Sequence, residues 1–222
     1  MVKVPENPLK NRKGDFSPLL VVSSLLVMLY ITSNVMAIKI ISIGSLSLFD
    51  AGTITFPFAY MLGDVLAEIW GYKIAKKVIY ITFLCNVAFI AFTSIGIILP
   101  YPEYMQKTQE AYTLVFSYVP RIVFSSLVAF LSGELVNAKV LVKIKERQKS
   151  EKHLFIRTIG SSLVGYLFDT VLFVILAFAG TVPAGDIISM IVVQYFAKAV
   201  IEAAFGTPLA YLCCAYLRRN YA

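Results

Sequence analysis

Long apolar stretches alternate with short polar ones along this chain. Runs of roughly 20 residues, each able to cross a hydrocarbon core of ~30 Å, fall at about 18–42, 54–70, 77–99, 117–140, 156–180 and 187–217. The pattern predicts an all-α polytopic membrane protein, a bundle of six transmembrane helices over residues 18–217. A basic arm at 1–17 precedes it and a short tail at 218–222 follows. The second run is short, opens with Pro57 and carries Asp64 and Glu68, so a tilted, broken or partial span is expected there. The last run is long enough to bend near Gly206 and Pro208. Residues 100–115 read as the longest external loop, with a short interfacial helix.

Composition agrees. Of 222 residues, 59% are hydrophobic and 15% charged, against about 25% charged in soluble domains. Mean hydropathy is +0.77. A globule in water could not be covered with so few polar groups, which excludes a soluble enzyme, a disordered chain and a secreted disulfide scaffold. The net charge of +7 follows topology rather than a nucleic-acid partner. Basic residues gather in the N-terminal arm (Lys3, Lys10, Arg12, Lys13), the second loop (Lys73, Lys76, Lys77), the fourth loop (Lys143, Lys145, Arg147, Lys149, Lys152) and the tail (Arg218, Arg219). The intervening loops hold only Lys107, which places both termini in the cytoplasm. The first run is too long for a signal peptide and has no small-residue cleavage site, so it is expected to stay as a helix. Cys85, Cys213 and Cys214 lie in apolar runs without metal-ligand spacing, and His153 sits in a basic loop. No metal or cofactor is expected.

The informative residues are polar ones inside apolar runs, because an ionisable group at the bilayer centre costs about 2.5–3.5 kcal/mol even on the lenient insertion scale. They are Asn34, Lys39, Asp64, Glu68, Arg121, Glu134, Asn137, Arg157, Asp169, Gln194, Lys198 and Glu202. Counting rise along each helix puts Asp64, Asp169 and Lys198 near the midplane. Lys39 and Arg121 fall near the outer surface, and Glu68 and Arg157 near the inner one, where snorkelling competes with a functional role. Asp64 and Glu68 share one helical stripe, as do Gln194, Lys198 and Glu202. Phe56, Phe58, Tyr60, Trp70, Phe173 and Tyr195 surround these positions in sequence, as packing residues or ring platforms.

SNVMAIK (33–39), AGTITFPFAYMLGDVLAEIWG (51–71), PRIVFSSLVAFLSGELVNAKV (120–140), GSSLVGYLFDTVLFVILAF (160–178) and QYFAKAVIEAAFGTP (194–208) resemble, in order, the motifs of the queuosine precursor transporter family. The resemblance covers about residues 20–215. It implies a six-span inner-membrane importer of 7-deazaguanine bases for tRNA modification, with a fold related to the substrate-binding subunits of energy-coupling-factor vitamin transporters. Carried over residue by residue, it points to Asn34, Lys39, Asp64, Glu68, Arg121, Ser161, Asp169 and Lys198. Phe58, Tyr60, Tyr195 and Glu202 complete the candidate substrate-binding set.

The chemistry suits that substrate class. A carboxylate, Asp64 or Asp169, can accept the adjacent N–H groups of a guanine-like edge, while Lys198 or Asn34 addresses the carbonyl. Phe58, Tyr60 and Tyr195 are candidate walls for the ring. The expected partners are this small molecule and the lipid bilayer, with a homodimer as a further expectation. No Walker motif is present, so the chain does not hydrolyse ATP by itself. Three other readings compete. One is a vitamin-type membrane subunit served by a separate ATPase module. Another is an intramembrane Ser-Lys enzyme built on Lys198 with Ser125, Ser126, Ser161 or Ser162. The third is a channel, against which the mixed charges of the polar cluster argue.

Overall fold

The computed structural model describes residues 17–44, 46–147 and 154–221. α1 (Pro18–Met36) opens on a proline, which suits the first turn because the N–H it lacks would have no partner there. The first apolar run was expected to remain helical to residue 42, but the helix stops at Met36. Ile40–Ile43 (β1) and Leu46–Asp50 (β2) form an antiparallel hairpin instead. The segment IKIISIG is rich in β-branched residues, which favour strand over helix. Counting hydrophobicity alone merges the two.

Asp50 ends the hairpin and caps a 3-10 turn over Ala51–Ile54, accepting from the Thr53 N–H at 3.1 Å and the Thr53 hydroxyl at 3.0 Å. This turn lies hard against α1. A Cβ on Gly52 would come 2.3 Å from the Ser33 carbonyl oxygen, so only glycine fits. α2 (Phe56–Trp70) follows, and Gly71, in the left-handed region at φ +82°, reverses the chain into α3 (Tyr72–Ile98). A 3-10 turn (Glu103–Met105) and α4 (Gln106–Phe116) occupy the predicted external loop. α5 (Val119–Arg147), α6 (Leu154–Phe178), α7 (Ala184–Ile201) and α8 (Thr207–Tyr221) complete the order. Between α7 and α8, Glu202–Gly206 form a π-helical turn. Pro208 has no N–H for the preceding turn, and a widened turn absorbs that loss at the predicted bend.

Among the described residues, Pro18–Met36, Lys73–Ile98, Glu103–Gly133 and Ala184–Arg219 are long and apolar enough to cross a membrane, and Leu163–Phe178 is a shorter apolar helix. Only 11% to 33% of these stretches is buried inside the protein. Phe92, Ile98, Leu84 and Leu212 stand exposed on them. Apolar surface on this scale needs lipid rather than water around it, and the protein is a multi-pass membrane protein. α2 differs: its 15 residues reach about 22 Å, and Phe56, Pro57, Ala59, Met61, Leu62, Val65 and Leu66 are buried. It is the internal helix of the bundle, packed on α1, α3 and α8.

The core has two apolar parts. Leu26, Leu62, Val65, Leu66, Val78 and Leu217 join α1, α2, α3 and α8. Ala37, Ile122, Phe173, Val174, Phe178 and Met190 join the start of the hairpin to α5, α6 and α7. α5 and α6 form the most extensive helix pair. Their approach depends on Gly133, where a Cβ would sit 3.0 Å from both the Gly165 carbonyl oxygen and the Asp169 Cβ. Small residues at such crossings are the usual device for packing helices in lipid. Here the device also sets the height and position of Asp169.

Candidate functional site

Asp169 on α6 and Lys198 on α7 meet in the interior, with Nζ donating to Oδ2 at 2.8 Å. Their side chains are only 9% and 8% exposed. Asp169 lies nine residues before the end of α6 and Lys198 fourteen after the start of α7, or about 14 and 21 Å along their helices. Both fall near the middle of a ~30 Å core. A buried pair of this kind is tolerable only because each charge compensates the other.

The pair borders a small cavity, of about 10 Å³, lined by Phe56, Tyr60, Ser126, Asp169, Phe173 and Lys198. The Lys198 ammonium lies 6.0 Å from the Phe56 ring centroid and 5.7 Å from that of Phe173, within range of cation–π attraction. Phe56 and Phe173 pack edge to face with centroids 6.4 Å apart, and Tyr30 packs on Phe56 at 5.7 Å. Tyr60 continues the wall towards Phe130 at 5.8 Å and Tyr166 at 6.3 Å. The arrangement offers a planar ligand aromatic walls, an anionic acceptor and a cationic donor.

A second buried carboxylate adjoins this site from the hairpin. Burial pushes the Asp50 carboxyl up from 3.8 to about 6, and the positive charge of Lys198 draws it back part of the way. The placement follows from β2 running beside α7, where the Ser189 hydroxyl donates to the Ser47 carbonyl at 2.6 Å. A strand advances about 3.3 Å per residue and a helix about 1.5 Å, so Asp50 comes level with the stretch from Gln194 to Lys198.

Of the candidate substrate-binding residues, Tyr60, Asp169 and Lys198 border the cavity. Glu202, one turn inward of Lys198, accepts a hydrogen bond from the Tyr166 hydroxyl. The others lie elsewhere. Asn34 is buried and donates to Asn86 Oδ1 at 2.9 Å, tying α1 to α3, and Asn86 donates to the Thr82 carbonyl. Lys39 is exposed between α1 and the hairpin, outside the helix expected to hold it. Phe58 packs into the apolar cluster of α1, α2, α3 and α8. Asp64 and Glu68 are exposed on α2, and Glu68 pairs with Arg218. Arg121 donates to the carbonyls of Leu176 and Ala179, satisfying the C-terminal end of α6. Tyr195 packs against Phe196 with centroids 5.3 Å apart. The side chains of Ser161, Glu134, Asn137 and Arg157 lie outside the described residues.

Phe56, Ser126, Phe173 and Asp50 complete the site beyond the expected set. Phe173 stands one turn from Asp169 and Phe56 one turn from Tyr60, a spacing that the sequence carries. Ser126 is named from sequence only as a candidate nucleophile, and Asp50 has no comparable signal, since an acid after a strand is commonplace. Ser126 shares a hydrogen bond with Tyr30 at 3.3 Å while Lys198 is bound to Asp169. The two groups of a Ser-Lys dyad are thus engaged elsewhere, and an ammonium held by a carboxylate is a poor general base.

Comparison with known proteins adds an independent line. The family described as "putative vitamin uptake transporter" matches residues 50–213, a range that contains every residue lining the cavity. A protein of Bacillus subtilis (strain 168), named "probable queuosine precursor transporter", is 26% identical over 181 residues, covering 82% of this chain and 78% of that one. No solved structure matches the chain.

Proposed function

This chain belongs to the putative vitamin uptake transporter family, and from that premise we propose that it imports queuosine precursors, 7-deazaguanine bases, across the cell inner membrane for tRNA modification. The observation that carries this reading is the buried Asp169–Lys198 pair inside an aromatic-walled cavity. A 7-deazaguanine base presents a ring N–H and an amine to Asp169 and a carbonyl oxygen to Lys198. Its faces lie against Phe56, Tyr60 and Phe173. The name of the Bacillus relative supports the substrate class. The alternation of basic loops supports six crossings with both termini in the cytoplasm.

The cavity, at about 10 Å³, is far smaller than the ~300–1,000 Å³ of ordinary small-molecule sites. Binding therefore requires the Asp169–Lys198 pair to part, and the base to replace each partner with a group of the same polarity.

The test is the queuosine content of tRNA in cells lacking both precursor synthesis and their own importer. With this protein expressed and each 7-deazaguanine base supplied in turn, at least one base restores modification. Asp169→Asn and Lys198→Ala abolish that restoration. No restoration with protein present in the membrane would refute the substrate assignment. Copurification with ATPase subunits would favour a vitamin-type subunit served by a separate ATPase.

A further inference from the structure

We propose that Gln194 is a second anchoring residue for the transported base: its carboxamide pairs with the edge bearing the ring acceptor and the glycosidic N–H, and so selects the free base over its nucleoside. This rests on the functional reading above. Gln194 is fully buried, and neither its Nε2 nor its Oε1 has a hydrogen-bond partner among the described residues. It stands four residues before Lys198, on the buried face of α7 that also holds Met190. Met190 packs in the cluster of Phe173, Val174 and Phe178, while Lys198 holds Asp169. Gln194 therefore faces the stretch of α6 between Asp169 and Phe173. The Thr170 hydroxyl in that stretch is likewise fully buried and without a partner among the described residues.

An orphaned buried amide is costly, and native proteins keep very few. A methionine of similar length would fill the same space at no such cost. The presence of a carboxamide one turn from the ion pair is explained if its partner arrives with the substrate.

The chemistry fixes which edge it takes. Asp169 takes the two adjacent N–H donors of the guanine-like edge and Lys198 takes the carbonyl. The remaining edge has a ring-nitrogen acceptor beside an N–H donor, which a carboxamide matches bidentately with one donor and one acceptor. Attachment of a sugar removes that N–H and adds bulk. A site that hydrogen-bonds such a group rejects analogues lacking it, because its own polar atoms are then left unpaired.

The experiment uses the purified full chain in detergent, with the 7-deazaguanine base that restores modification and its derivative methylated at the glycosidic nitrogen. Wild type binds the free base more tightly than the methylated one, by about 5- to 150-fold. Gln194→Met binds the free base more weakly by a similar factor and no longer distinguishes the two. Without ligand it melts at or above wild type, since a buried orphan has been removed, whereas a structural role for Gln194 would lower the melting temperature. Equal binding of the free base by Gln194→Met and wild type would overturn the proposal and leave the transport reading intact. Equal binding of the two ligands by wild type would overturn it as well, even if the variant fails to fold. A wild-type protein that binds neither base would overturn the substrate reading itself.

Discussion

Replacing Lys198 with methionine removes the partner of a carboxylate that is 9% exposed. Breaking a buried ion pair from one side costs about 3–5 kcal/mol, because the remaining charge is left without compensation. The cation–π contacts to Phe56 and Phe173, near the outer limit of their range at 6.0 and 5.7 Å, add about 0.5–1 kcal/mol. Asp169→Leu strands the ammonium and should cost a similar amount. Combining the two replaces the pair with apolar side chains, a change that is often neutral or stabilising. The double variant should therefore recover most of the lost stability, so that the two single costs, together about 6–10 kcal/mol, do not add. Thermal melting in detergent, followed by circular dichroism, reads stability for all four proteins. Restoration of tRNA queuosine reads transport. Both single variants should melt early and fail to transport, and the double should melt near wild type and still fail. Single variants as stable as wild type would refute the compensated-pair reasoning. A double variant no more stable than the worse single would do the same, and one that transports would remove the pair from the substrate site.

Gly52→Ala should destabilise the protein by about 1–3 kcal/mol in the same melts, because its Cβ would lie 2.3 Å from a backbone oxygen of Ser33 that cannot move aside. Arg121→Met loses the donors to the Leu176 and Ala179 carbonyls. A cost of about 2–3 kcal/mol with an unchanged KM for the substrate would separate this helix-capping role from ligand binding. Asp50→Asn tests the pH dependence. A carboxyl raised from 3.8 to about 6 in the folded protein binds its proton more tightly there than in the unfolded chain. Its contribution is favourable at low pH and is lost as pH rises from about 4 through 6. Melting temperatures measured across that window should fall less steeply in Asp50→Asn than in wild type, and parallel curves would refute the assignment.

The apolar runs and the buried charges were legible because both follow from the solvent. Lipid requires long uninterrupted segments, and it makes each internal charge conspicuous, so Asp169 and Lys198 stood out by depth alone. Depth does not reveal facing. Asp64 has a similar depth, and it shares a stripe with Tyr60, yet Tyr60 borders the cavity while Asp64 is exposed. One stripe meets different neighbours as α2 runs inward past α8, and that is a tertiary fact. The hairpin was illegible for another reason. Hydrophobic counting does not separate a β-branched strand from the helix before it, and by itself it puts Lys39 in a helix that ends at Met36. Asp50 was lost with the hairpin, since an acid outside a span carries no apparent desolvation cost until the fold buries it. Arg121 was legible as a basic residue near a span end, but its acceptors, 55 and 58 residues away, become neighbours only when α5 packs on α6.

The proposed site resolves a conflict that any carrier of a polar base must meet. Groups that recognise N–H donors and a carbonyl must be strongly polar, and they must also persist in the middle of the membrane when no substrate is bound. A lone carboxylate there would be driven to take up a proton, and a protonated acid is a poorer acceptor for the amidine-like edge. Pairing Asp169 with Lys198 sets each charge against the other, so that no net charge is buried. A 7-deazaguanine base entering between them gives the carboxylate its N–H donors and the ammonium its oxygen acceptor, so the bound arrangement is as well compensated as the self-paired one. Ligands that satisfy only one partner strand the other, and the cost of that stranded charge becomes the source of discrimination. Gln194 applies the same logic to a neutral edge, with one difference. Its amide has no internal substitute among the described residues, so it favours the bound arrangement where the ion pair is balanced between the two.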